Sequence, residues 1–424
     1  MGLIKFNLSV FSFVIVLSLG SCKQEKQWEG QEPIAKVSTE SVPIQLQYKG
    51  TFDLGKGVFI TNEFEGARLN GAVRSNDSLI TILISPENSP INMSPWYAFK
   101  IWSTVESEVY LKLTYPETAG HRYVPKLSQD GLNWKSLDSA AYQVTMKTDT
   151  KGDQIPGDAT MKLSVGTDTL WIAAQELITS FHVNYWMHEL ESHSFVTKTI
   201  IGKSTEGRPI HLLKIGESDD QNMVMIISRQ HPPEVTGFLA MQAFVETICS
   251  DNEIAEKFRT NFNTYVVPLV NPDGVDHGHW RHNKGGVDLN RDWADFNQPE
   301  TSAIKEFMIQ KIIDSGGKFF LSVDFHSTWE DIFYTISPAE KGNMPGLVPE
   351  IIAATAKEFI NYVPNIKPRS DVDAKITSST FFFYEFGAEA LTYEIGDNTP
   401  REFVLRKGEV SAIKMMDLML QRIY

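Results

Sequence analysis

The sequence is poor in cysteine and has fewer basic than acidic side chains. Its 39 Lys and Arg residues stand against 53 Asp and Glu residues, and the formal net charge is −14. This charge argues against nucleic acid as a partner, because phosphate binding needs a basic surface. The hydrophobic fraction of 42% is that of a globular protein, and a length of 424 residues is enough for two domains.

Long apolar runs are also scarce, and the clearest one lies at the start. Phe11 to Leu19 follows the positive charge of Lys5 and is too short to span a bilayer as a helix. It leads into Leu19-Gly-Ser-Cys22, which resembles a bacterial lipobox, in which the cysteine becomes the lipidated first residue. We therefore expect a lipoprotein signal peptide over residues 1–22 and a polar tether over residues 23–43. An ordinary signal peptide is the alternative.

These features predict a location in the bacterial cell envelope, with a lipid anchor at the outer membrane or the periplasmic face. If Cys22 carries the lipid, Cys249 stands alone and cannot form an internal disulfide. Cys249 follows an apolar helical pattern, so we interpret it as a small core residue and not as a nucleophile.

In the remaining chain, the pattern of predicted secondary structure changes near residue 175. Residues 44–174 contain short β-rich runs separated by Gly, Asn, Asp and Pro, which predict an antiparallel all-β sandwich domain. Residues 175–424 alternate strand and helix patterns, which is typical of an α/β domain. The predicted fold is therefore a β-sandwich domain followed by an α/β catalytic domain with a mixed, largely parallel central sheet.

Two histidines and a glutamate stand where predicted strands end. His231-Pro-Pro-Glu234 follows an apolar strand, Asn222–Ser228, and precedes a predicted helix. Catalytic zinc often takes three protein ligands, such as two His and one Glu, and keeps a fourth position open. His326 closes a second apolar strand, Lys318–Phe325, and is the third candidate ligand. Each motif alone is weak, because His-x-x-Glu occurs by chance and a lone strand-end histidine is more often a core residue.

A third segment carries groups suited to a carboxylate ligand. Asn271-Pro-Asp-Gly274 is a turn signal and has a structural reading on its own. Farther along, Arg291 can bind a carboxylate through its planar fork, and Asn290 can add a neutral donor. Asp288 can hydrogen-bond the free ring nitrogen of a metal-bound histidine and so select its tautomer.

Glu394 ends the apolar run Leu391-Thr-Tyr-Glu394. A carboxylate there costs free energy unless it has a partner or a task. Beside a metal site it can take the proton of an attacking water and later deliver it to the leaving amine. Without such neighbours it would be interpreted as a salt-bridged residue at a strand end.

These four elements, in this order, resemble the carboxypeptidase A-like zinc carboxypeptidases. The resemblance covers Glu176 to the C-terminus and includes Ser204-Thr-Glu-Gly-Arg208, which looks like that family's early signature. It implies hydrolysis of the C-terminal peptide bond of peptides or proteins, with one zinc ion per chain. The roles that it implies are zinc ligands at His231, Glu234 and His326, a carbonyl-polarising Arg281, a carboxylate-binding pair at Asn290 and Arg291, an orienting Asp288 and a general base at Glu394.

Within the family, the sequence looks most similar to the cytosolic carboxypeptidase branch, which trims glutamates from protein tails. The short spacing between Asn271 and Trp293 and the preceding β-sandwich carry this likeness. Eukaryotic members of that branch are cytosolic, whereas this chain carries an export signal, so the substrate does not follow. Wider-family members have a mobile capping tyrosine upstream of the base, and residues 370–380 contain none. Oxyanion stabilisation is therefore expected from zinc and Arg281.

Several further interpretations stay open. Envelope location would suit a murein-peptide hydrolase on the same scaffold, which cleaves a γ-D-glutamyl bond to a diamino acid, and a non-catalytic peptide-binding protein is a weaker alternative. Lys375 would favour an acidic last residue, and Arg401 could also approach the site. The loop histidines fit a second metal site or side chains that face solvent or line the cleft; they are His277, His279 and His282.

Overall fold

The computed structural model describes residues 29–30, 36–89, 92, 94–149, 152–369 and 376–423. The predicted signal peptide, its lipidation site Cys22, most of the tether before residue 36 and Lys375 lie outside these residues. Lipidation and envelope location therefore stay predictions. Within the described part of the chain, no helix is both long and apolar enough to cross a membrane.

The first half of the described chain forms two β-sheets. One has the strand order β1-β2-β5-β11-β7-β8 and the other β3-β4-β6-β10-β9. The pairs are antiparallel except for β4 with β6, which is parallel. The strands are β1 (Thr51–Asp53), β2 (Val58–Thr61), β3 (Gly71–Arg74), β4 (Leu79–Leu83), β5 (Ala98–Ser103), β6 (Ser107–Thr114), β7 (Lys126–Ser128), β8 (Lys135–Ser136), β9 (Tyr142–Thr148), β10 (Gln154–Val165) and β11 (Leu170–Ala173).

Apolar side chains of both sheets meet in one core. In β6, Val109, Leu111 and Leu113 are buried while the residues between them are not, which is the period of two of a strand with one buried face. They share a hydrophobic cluster with Phe99 and Ile172 of the opposite sheet. The predicted N-terminal β-rich region is confirmed, with one parallel strand pair that the sequence analysis did not anticipate.

The second half is an α/β region built on an eight-stranded mixed sheet. Its strand order is β12-β13-β15-β14-β16-β19-β17-β18. The four central strands of this order, which are β15, β14, β16 and β19, run parallel to one another. This confirms the predicted mixed, largely parallel sheet. The strands are β12 (Val196–Lys203), β13 (Pro209–Ile215), β14 (Asn222–Ser228), β15 (Asn263–Val267), β16 (Lys318–Thr328), β17 (Ile332–Ile336), β18 (Ile366–Arg369) and β19 (Glu389–Gly396).

Helices cover this sheet. The longest is the C-terminal α8, and α2 is buried along most of its length because it packs between α8 and the sheet. Residues buried on nearly every side give such a helix no polar stripe. The helices are α1 (Ser180–Leu190), α2 (Val235–Ile248), α3 (Glu253–Asn261), α4 (Pro272–Asp276), α5 (Pro299–Ser315), α6 (Leu347–Ala356), α7 (Ser378–Phe386) and α8 (Arg401–Ile423).

The β-rich and α/β regions share a core, and residues 32–424 form one compact unit. Trp280 comes from a loop of the α/β region, yet it is fully buried in the hydrophobic cluster of the two N-terminal sheets. Its indole Nε1 donates to the carbonyl oxygen of Trp96 at 3.0 Å. The N-terminal sheets therefore hold a loop of the α/β region directly.

A buried carboxyl group near the start of α5 makes the stability of the fold depend on pH. Burial raises the pKa of Glu300 from 4.5 to about 7, although Asn283 donates to its carboxylate at 3.0 Å. Because the folded-state pKa lies above the unfolded one, the folded state binds this proton more tightly. The resulting stabilisation is complete below pH 4.5 and is lost as pH rises through 7.

We expect Glu300→Gln to remove this dependence. Between pH 5 and pH 8 the wild type should lose on the order of 3 kcal/mol of unfolding free energy relative to the variant. Urea denaturation of both proteins across this range measures the difference. Parallel curves for the two proteins would show that Glu300 does not titrate in this way.

Candidate active site

A strained turn after β14 aims the first two candidate ligands. Arg229 has the left-handed backbone angle φ of 57°, which is rare for a residue with a side chain. Its buried guanidinium donates to the carbonyl oxygen of Pro232 at 2.7 Å and so closes the turn. The chain then enters α2 with Glu234 at the N-cap position, where the helix dipole favours a negative charge. His231 and Glu234 thereby point to the same side.

Two imidazoles converge on one carboxylate. Nδ1 of His231 lies 2.8 Å from Oε1 of Glu234, and Nδ1 of His326 lies 2.6 Å from its Oε2. One ligand atom from each residue lies within 4.8 Å of the others, and all three side chains are buried. In the described ranges this is the one such group of metal-binding side chains, so a second site at the loop histidines is not found there.

The remaining ring nitrogens each face an aspartate. Nε2 of His231 lies 2.9 Å from Oδ1 of Asp288, and Nε2 of His326 lies 2.7 Å from Oδ2 of Asp324. With a metal ion on the two Nδ1 atoms, each Nε2 would carry the proton and donate it to its aspartate. Two imidazole nitrogens and a carboxylate thus face one point. This donor set fits zinc.

Asp324 is a functional residue to which the sequence analysis gave no role. Its Oδ2 also accepts hydrogen bonds from Ser378 Oγ and, at 2.6 Å, from Gln230 Nε2. The signal was available, because residues two apart on a strand face the same side of the sheet. Asp324 thus lies beside His326 on β16 and orients its ring.

Glu394 lies beside His326 because β16 and β19 pair in parallel with these two residues in register. It is 5% exposed, and its Oε2 has no hydrogen-bond partner among the described residues. Burial raises the pKa of the Glu394 carboxyl to about 7, against the opposing charge of His326. An unpartnered carboxylate oxygen next to a metal site is suited to bind and deprotonate water.

Asp288 joins the metal site to two arginines. Its Oδ2 accepts from Nε of Arg281 at 2.7 Å and lies 3.8 Å from Nη1 of Arg291. Asn290 lies between them in the chain; its Oδ1 accepts from the backbone N–H of Ser378 at 3.0 Å, which leaves the amide Nδ2 to donate. The structure thus brings Arg281, Asn290 and Arg291 together around Asp288, which contacts the candidate metal ligand His231.

Arg369 is a further cationic residue near the site, and no sequence motif pointed to it. It ends β18, stacks 4.5 Å from the centre of the Tyr334 ring and donates from Nη1 to Oγ1 of Thr377 at 3.2 Å. Burial lowers its pKa, and the charges of Arg291 and Glu394 also act on it. The guanidinium therefore lies near both the base and the carboxylate-binding pair.

Several other expectations have a clear outcome. Arg401 is bound by the carboxylate of Glu176, with two contacts of 2.8 Å. His279 and His282 are buried and so do not face solvent, and the alternative that they line the cleft stays a prediction. Tyr384, the first tyrosine after the tyrosine-free residues 370–380, lies on α7 and is exposed.

The site combines two histidines and a glutamate with a buried carboxylate at the edge of a parallel sheet. This combination is typical of the active sites of metallopeptidases. A sequence profile described as zinc carboxypeptidase matches residues 183–407, which is more than half of the chain. The chain therefore belongs to the zinc carboxypeptidase family, and its metal site is a zinc site. The first 182 residues lie outside that match.

Individual relatives agree with this assignment. Cytosolic carboxypeptidase 6 of Caenorhabditis elegans is 28% identical over 152 residues, 34% of this chain, and the match spans 33% of the relative's own length. A metallo-carboxypeptidase structure from Burkholderia cenocepacia has a TM-score of 0.68 at 20% identity and covers 87% of this chain and 100% of that one.

A second similar structure is a metallo-carboxypeptidase from Pseudomonas aeruginosa in complex with (2-guanidinoethylmercapto)succinic acid, with a TM-score of 0.66 at 20% identity. It covers 85% of this chain and 99% of that one. At these identities the two structures show a shared fold, and because they cover most of this chain, that fold includes much of the N-terminal β-rich region.

Close packing of α2 against β16 sets the distance between Glu234 and His326. A Cβ atom on Gly237 would lie 2.4 Å from the carbonyl oxygen of His326. We expect Gly237→Ala to push the two elements apart, to cost about 1–3 kcal/mol of stability and to weaken zinc binding by about 10–100-fold. Zinc titration against a chelator and thermal unfolding measure both effects.

Gly408→Ala is the matched control. Its Cβ would lie 2.3 Å from the carbonyl oxygen of Ala240, so it overpacks α8 against α2 away from the metal. The control should lower the melting temperature and leave zinc affinity unchanged. Wild-type affinity in both variants would show that Gly237 does not govern the metal site.

Proposed function

We propose that this protein is a zinc-dependent carboxypeptidase that hydrolyses the C-terminal peptide bond of peptides or proteins. The observation that carries the proposal is Glu394, whose unpartnered carboxylate oxygen is buried beside the three metal-binding side chains. Two arginines lie near Asp288, whose carboxylate also contacts His231. Water activation and carboxylate binding are thus available within one site.

The substrate's terminal carboxylate is bound by Arg291 and by the Nδ2 amide of Asn290. Arg291 Nη1 donates to the carbonyl oxygen of Asn290 at 2.8 Å, which holds the side chain near its own backbone. A planar guanidinium can offer two parallel N–H groups to a carboxylate. Binding of the chain end at this point selects an exopeptidase reaction over cleavage within a chain.

Glu394 moves the proton. Its raised pKa places it close to the pH at which a base and an acid are both useful, so it can take a proton from water and return it to the leaving amine. When bound by His231, Glu234 and His326, zinc supplies a Lewis acid that acidifies water and polarises a carbonyl. Arg281, held at Nε by Asp288, keeps its terminal nitrogens for the oxyanion.

Arg369 supports a preference for an acidic last residue. Thr392, two residues before Glu394, faces the same side of β19, and it pairs with Tyr334, on whose ring Arg369 stacks. A partly buried cation behind the base would attract a Glu or Asp side chain.

The murein-peptide alternative finds no support in the comparisons, which lead to carboxypeptidases. The sequence alone supports the proposal that the enzyme is lipid-anchored at Cys22 in the bacterial envelope, where peptide C-termini outside the cytoplasm would be its substrates.

Replacing the base should abolish turnover without removing the metal. We expect Glu394→Gln to lower kcat by about 10²–10⁴-fold, since that is the usual contribution of a general base. Zinc content should stay at one ion per chain, because Glu394 is not among the three candidate ligands. Hydrolysis of a peptide ending in glutamate and elemental analysis check the two parts. A variant with near wild-type kcat would remove Glu394 from the mechanism.

The acidic preference is tested with a peptide library read by mass spectrometry. The wild type should release Glu and Asp in preference to other residues, and Arg369→Met should lose about 10-fold or more of this preference in kcat/KM, because one charged contact is lost. Arg401→Met is the control and should keep it, since Glu176 binds Arg401. Release of apolar residues by the wild type would contradict the preference, and cleavage of muropeptides alone would favour the murein alternative.

A further inference from the structure

A single carboxylate of the N-terminal β-rich region holds the loop that carries Arg281. The side chain of Glu87 is completely buried. Oε2 of Glu87 accepts from the backbone N–H of Trp280 at 2.7 Å, and Oε1 accepts from those of Arg281 at 3.1 Å and His282 at 2.8 Å. Three successive N–H groups directed at one anion form a concave anion site within the protein.

Charged and polar neighbours keep this carboxylate ionised. Arg68 Nη2 donates to Oε2 at 3.2 Å, and His282 Nδ1 lies 3.1 Å from Oε1. Burial alone would raise the pKa of Glu87, but the hydrogen bond of His282 and the charge of Arg68 hold the pKa well below its usual value. A buried carboxylate that accepts this many hydrogen bonds is stable as an anion. Removal of one partner leaves a buried charged or polar group unpaired, which costs free energy.

The loop depends on such contacts from outside because it has little regular structure of its own. Residues 279–288 lie in no strand or helix, and their internal backbone hydrogen bonds are those of turns, such as Asn283 N–H to the carbonyl oxygen of Val287 at 3.0 Å. Two more residues of the N-terminal region bind this loop. Asn88 Nδ2 donates to the carbonyl oxygen of Gly286 at 3.0 Å, and the backbone N–H of Val42 donates to the carbonyl oxygen of Gly285 at 2.8 Å.

Arg281 is therefore held at both ends. Glu87 binds its backbone N–H, and Asp288 binds its side-chain Nε at 2.7 Å. Asp288 in turn binds the metal ligand His231. A shift of the Arg281 backbone would move the guanidinium relative to the metal site, and a displacement of about 1 Å can cost about 100-fold in rate.

We propose that Glu87 is a positioning residue for Arg281, through which the N-terminal β-rich region contributes to catalysis. This inference rests on the proposed function, in which Arg281 stabilises the oxyanion. It predicts that Glu87 acts on kcat through Arg281 alone. A purely structural role would instead affect folding and leave turnover per folded, zinc-loaded molecule unchanged.

A double-mutant cycle on the full chain separates the two roles. The variants are Glu87→Gln, Arg281→Met and the combination, with kcat and KM measured on a peptide ending in glutamate and corrected for zinc content and folded fraction. The glutamine amide places an N–H donor against backbone N–H donors, so Glu87→Gln should lower kcat by about 10–100-fold, within the range for a displaced oxyanion donor, and leave KM within about 3-fold. In the Arg281→Met background, Glu87→Gln should change kcat by less than about 3-fold.

Arg68→Met is the matched control. It removes the same buried ion pair and should lower the melting temperature, but it leaves all three backbone N–H groups on Glu87 and should keep kcat within about 3-fold of wild type. If Glu87→Gln does not fold, Glu87→Asp, with its shorter reach, is used in both backgrounds and judged by the same criteria.

The outcomes are distinct. Equal losses from the Glu87 substitution in both backgrounds, or a wild-type kcat in Glu87→Gln, would overturn the inference and leave the proposed function standing. An inactive zinc-loaded wild type, or full activity of Arg281→Met, would contradict the proposed role of Arg281 and with it the inference. Loss of kcat by Glu87→Gln only when Arg281 is present supports the inference.

Discussion

Parallel pairing of β14, β16 and β19 is the constraint on which the active site depends. The carboxyl ends of neighbouring parallel strands lie at the same edge of a sheet, so segments far apart in the chain meet there. His231 and Glu234 follow β14, His326 lies near the end of β16, and Glu394 lies in register with it on β19. A shift of one residue in this register would turn Glu394 to the other face of the sheet.

The same edge of the sheet brings several charged side chains together where they are buried. Most of these charges have an oppositely charged or hydrogen-bonding partner. Asp288 is shared between His231 and Arg281, and Asp324 is shared between His326, Gln230 and Ser378. Buried ions are tolerated when each has a partner and its remaining hydrogen bonds are satisfied. Among the described residues, Oδ1 of Asp324 and Oε2 of Glu394 have no hydrogen-bond partner, and the Glu394 oxygen lies beside the metal site, where a group that transfers a proton is useful.

The N-terminal β-rich region extends this arrangement to a part of the chain that the zinc carboxypeptidase match does not cover. It buries Trp280 in its own core and binds the following loop through Glu87. A loop without regular structure has many conformations, and contacts from a rigid neighbour reduce them. The region therefore restricts the loop that carries Arg281.

Local pattern in the sequence was sufficient for the secondary structure and for the ligand set. The strand Asn222–Ser228 matches its predicted bounds, and the predicted helix after Glu234 is present as α2, because both segments have a strong apolar pattern. The metal ligands and the base could be recognised because each stands directly after, or at the end of, such a strand. For the same reason Asp324 could have been found, since it shares a strand face with His326.

Only the tertiary structure decided which charged groups act together across the chain. Glu87 binds residues 193 to 195 positions away, and nothing near it in sequence marks it as different from other acidic residues in loops. Arg369 reaches the site through the packing of β18 on β17, which no motif records. The sequence determined the strands, the helices and the chemical groups at their ends. The buried position of Glu87, the proximity of Arg369 and the shared contacts of Asp288 follow from packing between distant segments, which local periodicity does not contain.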